Sequence, residues 1–496
     1  MSVSSTCDSH TVIIIGSGFG GQCAALRLKE KGIDDFILLE RRDFMGGTWC
    51  QNSYPGAAVD VQSPLYSIES EPYDWSQMFA EQEELEQYTN HVIDKHQLRQ
   101  RTRTHCNVEK IQWLDEQKQW QIDVKDIRNG EQKTFYARFI INASGPLSTP
   151  VIPDFKGRDR YQGESFHTNN WNHDYDLKGK NVAIIGSGAS AAQIIPAIAA
   201  EVGHLHIFQR TPHWVMPRHD YTFKRWQRKL LKNRFVYKAL REAIYWGLET
   251  RVIGFKYSRF MLDMMATRVA KKHIRQQIKD PALREQVTPD FVIGCKRVIL
   301  SNTLYPAYCR DNVSLHSKTD GIAEITESGI QTTQGDNLDL DLIIYSTGYD
   351  ATDGVISYPV VGKDGVTLAD VWQDFPRAYL GTSAPGFPNL FIVTGPNTGI
   401  GHTSAIFVIE AQMNYIISAI QAVGKQAKQV VEVKADAEQR YTDHIHQEMA
   451  KTVWQNGGCN SWYKSKSGKV IAMFPGFSFT FRRWTKNFRT RDHIIS

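Results

Sequence analysis

The chain has 496 residues, which is enough for roughly two to four domains. Hydrophobic residues make up 41% and charged residues 22%, a balance typical of globular proteins that excludes disordered and fibrous classes. A formal net charge of +5 is too small to indicate nucleic-acid binding by the chain as a whole. A mean hydropathy of −0.40 argues against a polytopic membrane protein.

The seven cysteines are widely spaced and form no C-x-x-C pair. The spacing therefore gives no support to a zinc site or a thioredoxin-like dithiol, and no metal site is expected. A scattered, reduced set of thiols is typical of the cytoplasm. The first residues, MSVSSTCDSHTVIIIG, lack a basic region and a cleavage site, so we expect no signal peptide and a cytoplasmic protein.

The N-terminal part has the pattern of a dinucleotide-binding β-α-β unit. An apolar run at 11–15 predicts a buried parallel strand, and residues 22–31 predict a helix. Between them lies a G-x-G-x-x-G turn with Gly16, Gly18 and Gly21. Such a turn lets the backbone approach a pyrophosphate closely at a helix N-terminus.

The second strand of this unit, predicted at 36–39, ends in Glu40, 24 residues beyond Gly16. A carboxylate at this point accepts hydrogen bonds from ribose hydroxyls and repels a 2′-phosphate. The unit therefore predicts a site for FAD or NAD.

A second unit of the same kind follows 170 residues later. Strands are predicted at 182–185 and 204–208, and the turn between them contains Gly186, Gly188 and Ala191. The chain is therefore predicted to contain two dinucleotide-binding folds.

Arg210 stands 24 residues beyond Gly186, where the first unit has an acid. Because a guanidinium pairs with phosphate in a two-point contact, this site favours NADP over NAD. Lys296 is a second candidate for the 2′-phosphate.

The predicted fold class is α/β, with two Rossmann-like dinucleotide-binding domains and a helical subdomain. A strand at 342–348 is expected to return the chain to the first domain, which would make that domain discontinuous and the second an insertion. The predicted division is an FAD-binding first part at 1–145, a linker at 146–175, an NADP-binding domain at 176–340 that includes a helical segment at 218–290, and an FAD-binding second part at 341–496.

Residues 218–297 contain 20 Lys and Arg against 7 Asp and Glu, whereas the rest of the chain is acidic. A solvated helical cap is favoured over a face for a membrane surface or an acidic partner. The apolar residues of this segment are predicted to pack a helical core, although they could instead line an apolar pocket: Phe235, Tyr237, Tyr245, Trp246, Phe255, Phe260 and Met261.

One FAD-type site and one NADP-type site predict electron flow from NADPH to flavin. The cysteine spacing offers no dithiol to receive the electrons, which argues against a disulfide reductase. Oxygen or a carrier protein remains as the acceptor.

Several further motifs occur in one order along the chain. The first set is Gly46, Gly47, Thr48, Trp49, Asn52, Tyr54, Pro55, Gly56, Asp60 and Tyr66. The second set is Tyr161, Gly163, His167, Trp171 and Asn172. Together with 209–212, 296–297 and 346–349, they resemble the motifs of the Baeyer–Villiger monooxygenases, which use FAD and NADPH. The resemblance extends from residue 11 to about 475.

The resemblance implies that NADPH reduces the flavin and that oxygen adds to its C4a carbon. The resulting peroxide would attack a small-molecule ketone to give an ester or lactone. Arg297 would stabilise negative charge on the peroxide and on the adduct, and Asp60 would hold Arg297 in place. Gly47, Thr48, Trp49, Tyr54 and Tyr66 would form the flavin side of the site.

Further residues are predicted at the domain junction and beside the cofactors, Trp462 from the resemblance and the others from their positions in the chain. His167 would be a hydrogen-bonded hinge rather than a catalytic base, and Trp171 an anchor beside it. Asn397 lies in a loop before a helix that begins near residue 404, whose N-terminus could face the flavin. Trp462 would belong to a loop that closes over NADP.

Two alternatives remain open at this stage. The motif around His167 usually begins with Phe and ends with Pro or Asp, but here it has Tyr161 and Asn172. That departure motivates a flavin monooxygenase that oxidises sulfur or nitrogen. The basic segment motivates a redox-sensing flavoprotein that only binds NADPH.

Overall fold

The structure is a computed structural model that describes residues 8–351, 355–426 and 428–496. The strands are β1 (Asp8–Ile15), β2 (Phe36–Leu39), β3 (Thr102–Arg103), β4 (Cys106–Leu114), β5 (Gln119–Asp126), β6 (Gln132–Asn142), β7 (Glu164–His167), β8 (Asn181–Ile185), β9 (His204–Phe208), β10 (Val215–Met216), β11 (Ile299–Leu300), β12 (Val313–His316), β13 (Ile322–Ile325), β14 (Gly329–Thr332), β15 (Asn337–Asp339), β16 (Leu342–Tyr345), β17 (Val360–Val361), β18 (Leu390–Ile392), β19 (Val431–Val433) and β20 (His493–Ile495). The α-helices are α1 (Phe19–Glu30), α2 (Thr48–Gln51), α3 (Gln82–Lys95), α4 (Ala189–Ile198), α5 (Arg225–Leu231), α6 (Arg234–Glu249), α7 (Arg259–Leu262), α8 (Arg268–Gln277), α9 (Pro281–Val287), α10 (Leu304–Tyr308), α11 (Leu368–Val371), α12 (Ala405–Lys425), α13 (Ala435–Met449), α14 (Val453–Asn456) and α15 (Ser478–Thr485).

The first sheet has the order β17-β4-β5-β6-β1-β2-β3, and β18 also pairs with β6. Strand β1 is parallel to both of its neighbours, β2 and β6. Val12 and Ile14 contribute to the core on one face of the sheet, and Ile13 and Ile15 to the core on the other. Because both faces are covered, this central strand is apolar at consecutive positions, as its sequence predicts.

The second sheet has the order β12-β9-β8-β16-β7, and all of its strand pairs are parallel. It lies between two parts of the first sheet in the sequence, because β17 and β18 of the first sheet follow it. The first domain is therefore discontinuous and the second is inserted.

The prediction that residues 342–348 form a strand of the first domain is wrong. The strand is shorter, at Leu342–Tyr345, and as β16 it pairs with both β8 and β7 of the second sheet. A buried apolar strand fits the centre of either sheet, so its sequence could not identify its partners. Strand β7, which was expected within a linker, is the edge strand on the other side of β16.

The basic segment is helical, with α5 to α9 and two π-helical turns at Ile253–Tyr257 and Asp263–Thr267. Its apolar residues do not behave as one group. Tyr237 and Tyr245 are buried in the core, as predicted, whereas Phe235, Trp246 and Phe260 are exposed.

Helix α12 is the one described helix long and apolar enough to cross a membrane by length and composition. It packs against α1 in the core of the first domain, and 72% of its most apolar window is buried. That burial is typical of the core helix of a folded domain.

The two domains meet at α4. The Tyr54 hydroxyl donates a hydrogen bond to the Gln193 side chain at 3.1 Å, and Gln193 donates one to the Ala58 carbonyl at 2.8 Å. A Cβ on Gly56 would lie 2.5 Å from the Gln193 carbonyl oxygen. The loop after α2 is therefore pressed against the second domain.

Candidate active site

The first glycine turn connects β1 to α1. Gly16 has a φ of +100°, and a Cβ there would lie 2.5 Å from the Ala143 carbonyl oxygen. A Cβ on Gly21 would lie 2.0 Å from the Gly16 carbonyl oxygen. Gly18 is the N-cap residue of α1 and makes no side-chain hydrogen bond to the helix. The first amides of α1 are therefore left available to bind an anion.

The loop before α2 approaches this turn from the opposite side. A Cβ on Gly47, whose φ is +66°, would lie 2.7 Å from the Cα of Gly18. Thr48 and Trp49 then begin α2. The predicted first-turn glycines and the Gly47 loop are therefore neighbours in the fold.

The Glu40 carboxylate is buried and holds the glycine turn. It accepts hydrogen bonds from the Ser17 amide at 3.0 Å and the Ser17 hydroxyl at 2.7 Å. Its other oxygen accepts one from the Arg42 amide at 3.0 Å. Its position at the end of β2 agrees with the sequence pattern, and these contacts fix the carboxylate beside the turn.

The aromatic side chains of Trp49 and Tyr66 contact each other. The Trp49 indole N–H donates a hydrogen bond to the Tyr66 hydroxyl at 3.1 Å, and the rings meet edge to face at 5.8 Å. Phe19 contacts Tyr66 from the first turn of α1. Burial raises the pKa of Tyr66 to about 12, so its hydroxyl stays protonated at neutral pH.

The second glycine turn connects β8 to α4. Gly186 has a φ of +122°, and a Cβ there would lie 2.2 Å from the Ser346 carbonyl oxygen. Gly188 caps α4 without a side-chain hydrogen bond, and a Cβ there would meet nothing within 4 Å. Ala191 is buried in α4. The helix N-terminus therefore faces open space that a phosphate could enter.

Arg210 and Lys296 lie near the end of the second sheet. Burial lowers the pKa of Lys296, and the positive charge of Arg210 lowers it further. The Lys296 ammonium also lies 5.3 Å from the centre of the Phe291 ring. The two cations that the sequence predicted for a 2′-phosphate therefore interact across 86 residues of sequence.

Asp60 and Arg297 form a two-point ion pair. The Arg297 Nε lies 2.7 Å from Oδ2 of Asp60, and Nη2 lies 2.5 Å from Oδ1. Burial alone would raise the pKa of Asp60, but the Arg297 charge and hydrogen bonds hold it below its usual value. Asp60 in turn raises the pKa of Arg297. Both side chains keep about a third of their surface accessible, at 29% and 39%, so the pair is not sealed in the core.

Two further residues near this pair were not predicted from the sequence. Burial lowers the pKa of Arg251, while the Asp60 carboxylate raises it and Arg297 lowers it. Burial raises the pKa of Tyr463 to about 12, against the opposing charge of Arg297. Arg251 follows α6 in a basic stretch, and Tyr463 is next to Trp462. Neither residue could be selected from the sequence, because no motif pointed to it.

Cys295 and Cys459 form a disulfide, with Cα atoms 6.1 Å apart across 164 residues. The expectation of a wholly reduced set is therefore wrong for this pair. Spacing could not reveal the bond, because folding brings the two segments together. Among the described residues, the free thiols are Cys23, Cys50, Cys106 and Cys309, and Cys7 lies outside them. The bond ties the segment of Arg297 to the segment of Tyr463.

His167 ends β7 rather than lying in an irregular linker. Its Nδ1 accepts a hydrogen bond from the Asn169 amide at 3.0 Å, whereas its buried Nε2 has no partner among the described residues. Burial lowers its pKa, against a smaller opposing effect of the Gly348 backbone, so the ring is neutral at pH 7. Trp171 packs edge to face on Phe166 at 5.0 Å and joins the core of the second domain.

Asn397 has both side-chain N–H groups engaged by protein. It donates hydrogen bonds to the Val470 and Met473 carbonyls, each at 3.0 Å. The helix that follows is α12, whose N-cap is Ser404, as expected. Trp462 is 46% exposed and contacts Tyr463, with ring centres 4.6 Å apart. In the described ranges no cluster of three or more His, Cys, Asp or Glu could hold a metal.

Comparison with known proteins identifies the family. The model of the family described as "Pyridine nucleotide-disulphide oxidoreductase" matches residues 13–252. A Baeyer–Villiger monooxygenase of Pseudomonas aeruginosa is 40% identical over 482 residues, which cover 96% of this chain and 90% of that protein. The chain belongs to the Baeyer–Villiger monooxygenase family. Another member, from Streptomyces coelicolor, is 41% identical and aligns over 98% of this chain and 92% of its own length.

Solved structures of Baeyer–Villiger monooxygenases share the whole architecture. A complex of OTEMO with FAD and NADP has a TM-score of 0.87 and 27% identity, and covers 99% of this chain and 100% of its own. Cyclohexanone monooxygenase from Rhodococcus sp. Phi1, bound to NADP+, has a TM-score of 0.88 and 26% identity, with the same coverage. The α/β fold with two dinucleotide-binding domains is therefore that of this family.

Proposed function

We propose that this protein is an NADPH- and oxygen-dependent flavin monooxygenase that inserts oxygen next to a ketone carbonyl to give an ester or lactone. The substrate is a small molecule, and we propose that it is a ketone. FAD, when bound, supplies hydride acceptance and oxygen activation. The observation that carries the proposal is the ion pair of Arg297 with Asp60 in a member of this family.

Arg297 suits the role of an oxyanion stabiliser. The Asp60 carboxylate accepts hydrogen bonds from two of the five guanidinium N–H groups of Arg297 and so fixes the plane of the guanidinium. Within the described residues the remaining donors have no other acceptor, so they can bind negative charge that develops on oxygen as it adds to the ketone carbonyl. Because the side chain is accessible, a small substrate can reach it. Asp60 is thus a positioning residue, and Arg297 is the catalytic one.

The geometry of the first domain supports an FAD site. The uncapped N-terminus of α1 would receive the pyrophosphate, because no side chain competes for its amides. The close approach of Gly18 and Gly47 would place the loop before α2 beside the bound pyrophosphate. The residues assigned to FAD are Gly16, Gly18, Gly21, Glu40, Gly47, Thr48, Trp49, Tyr54, Tyr66 and Asn397, the last as a support for its loop.

The geometry of the second domain supports an NADPH site. Open space over Gly188 would admit the pyrophosphate, and the adjacent cations Arg210 and Lys296 would bind the 2′-phosphate. The unpartnered Nε2 of His167 is a polar atom that a bound cofactor could satisfy. The residues assigned to NADPH or to the junction beside it are Gly186, Gly188, Ala191, Arg210, Lys296, His167, Trp171 and Trp462.

The sulfur- or nitrogen-oxidising alternative rested on Tyr161 and Asn172. The Tyr161 hydroxyl donates to the Leu340 carbonyl at 3.0 Å, and the Asn172 side chain donates to Glu164 at 3.1 Å. Both contacts lie within the second domain, so these substitutions give no argument about the substrate. We therefore keep that activity as an outcome of the test.

The division of the chain is part of the proposal. We assign residues 1–145 and the C-terminal part to FAD, and we assign β16 to the NADPH domain because it pairs with β8.

We also propose a cytoplasmic location, since the protein needs a supply of NADPH.

The decisive experiment is a product assay under labelled oxygen. Purified protein, FAD and NADPH would receive linear, cyclic and aromatic ketones and one sulfide, with products identified by mass spectrometry. One labelled oxygen atom in an ester or lactone is the expected result. A labelled sulfoxide without any ester would instead assign the protein to heteroatom oxidation. Cofactor binding without labelled product from any substrate would favour the redox-sensing alternative.

A further inference from the structure

Residues 224–238 form a basic-aromatic segment that the proposed reaction does not use. It comprises α5 and the first turn of α6. Its 15 residues include no Asp or Glu and seven basic side chains: Lys224, Arg225, Arg228, Lys229, Lys232, Arg234 and Lys238.

Three large apolar side chains of this segment point into solvent. Phe235 is 85% exposed, Trp226 63% and Leu230 50%. Trp226 and Leu230 are four residues apart on α5, so they share one face of the helix. Exposed apolar groups gathered in so short a stretch mark an interaction surface rather than ordinary surface scatter.

Most of the positive charge of the segment is uncompensated. Arg228 and Lys232 share one carboxylate, Asp74, at 2.9 and 3.7 Å. Across the described part of the chain, no acidic side chain lies within 4 Å of the charged groups of the other five basic residues. The surface therefore attracts anions while it presents apolar side chains.

A cleft of about 390 Å³ adjoins the segment. Its walls include Arg228, Lys232 and Arg234 from the segment, with Asp74 among them, and Lys95 from α3, which is already paired with Glu71 at 2.7 Å. Tyr237 anchors the segment from beneath, because its hydroxyl accepts a hydrogen bond from the Trp75 indole at 3.1 Å. The basic cleft is thus held in a fixed place beside the exposed apolar residues.

We propose that the basic-aromatic segment docks the protein peripherally on an anionic lipid bilayer. Trp226, Leu230 and Phe235 enter the boundary between headgroups and acyl chains, and the basic side chains bind lipid phosphates. A nucleic acid would match the charge, but it would leave the aliphatic Leu230 without an apolar environment. A bilayer provides anionic headgroups and apolar acyl chains close together, as the neighbouring basic and apolar side chains of the segment require.

The test is flotation of the FAD-loaded protein with vesicles. Phosphatidylcholine vesicles are compared with vesicles that contain about 30% phosphatidylglycerol, between about 0.05 M and about 0.5 M salt. We expect partitioning onto the anionic vesicles at least about tenfold stronger, and a loss of binding as salt rises. R225Q and K229Q should each weaken binding about fivefold, and the double variant W226S/F235S at least about tenfold.

A matched control is K363Q/V366S, which removes one exposed lysine and one exposed apolar residue far from the segment in sequence. It should bind vesicles as the unchanged protein does. Equal binding to neutral and anionic vesicles, or none to either, would overturn the proposal. So would binding to heparin or duplex DNA without vesicle binding. If W226S/F235S lost its FAD or its thermal midpoint fell, the charge variants and the salt dependence would decide.

Discussion

Asp60 and Arg297 are separated by 237 residues, yet the carboxylate holds the guanidinium by two hydrogen bonds of 2.7 and 2.5 Å. This ion pair joins the loop after α2 in the first domain to the segment before β11 in the second. The two cofactor domains therefore share one charged pair. Any motion between the domains must either carry this pair along or break it.

Replacement of Arg297 by Lys should uncouple NADPH oxidation from oxygen insertion. A lysine keeps the charge but cannot form the two-point contact with Asp60, so its position is no longer fixed. We expect ester formation to fall roughly 10²- to 10³-fold, while NADPH consumption continues and yields hydrogen peroxide. Ester and peroxide would be measured in the same reaction. An unchanged ratio of ester to NADPH would contradict the role of Arg297.

The Asp60 pair should stabilise the fold at neutral pH and lose that effect in acid. The folded-state pKa of Asp60 lies below its usual value, so its contribution is present above the unfolded pKa of about 4 and is lost as pH falls through the folded pKa. In urea unfolding, the difference between the unchanged protein and D60N should be constant from about pH 6 to about pH 9 and shrink below about pH 4. A change centred near pH 6.5 would instead indicate a histidine.

The two β-α-β units could be predicted because each joins an apolar run to a glycine turn. The strands at 36–39 and 204–208 occur in the structure with these same bounds. The placement of β16 could not be predicted. Its four buried residues would suit the centre of either sheet, and the sequence does not show which strands it pairs with.

One contact of the candidate site could be predicted from the sequence, and several others could not. Asp60 and Arg297 were expected to pair and do so. Gln193, which holds Tyr54 and Ala58 at the domain junction, follows no motif in α4. The disulfide of Cys295 was also missed. Such contacts arise from long-range packing, which a spacing rule along the chain cannot express.

Arg210 should determine the preference for NADPH. Replacement by Ala removes a charge-assisted contact to the 2′-phosphate, so we expect the KM for NADPH to rise roughly 10- to 100-fold. The KM for NADH should change little, because NADH lacks that phosphate. K178Q, at an exposed lysine of the same domain, is the control. Equal effects on both cofactors would show that Arg210 only supports the fold.

The disulfide of Cys295 and Cys459 should stabilise the region around Arg297. Loss of a cross-link that closes a long loop typically costs about 2–4 kcal/mol of the free energy of unfolding. We expect a reductant to lower the thermal midpoint of the unchanged protein to that of C295S, and to leave C295S unaffected. C309S, at an exposed free thiol, should respond as the unchanged protein does.

Peptide mapping of freshly lysed, alkylated cells would then measure how much of the bond forms where the protein is made. A fully reduced pair and a midpoint insensitive to reductant would contradict the bond. A mixed population would mean that the tether between the segments of Arg297 and Tyr463 exists in only part of the protein.

Gly47 should be essential for flavin binding. In G47A the added methyl group would lie 2.7 Å from the Cα of Gly18, and the φ of +66° is strained for alanine. The loop must therefore move away from the first glycine turn, and we expect purified G47A to contain at least about tenfold less FAD. The matched control is G247A in α6, where a methyl group meets nothing within 4 Å. Because alanine favours a helix by about 0.5–1 kcal/mol over glycine, G247A should retain FAD and melt no lower than the unchanged protein. Full flavin content in G47A, measured by absorbance of the released cofactor, would show that the close approach of Gly18 and Gly47 does not form the site.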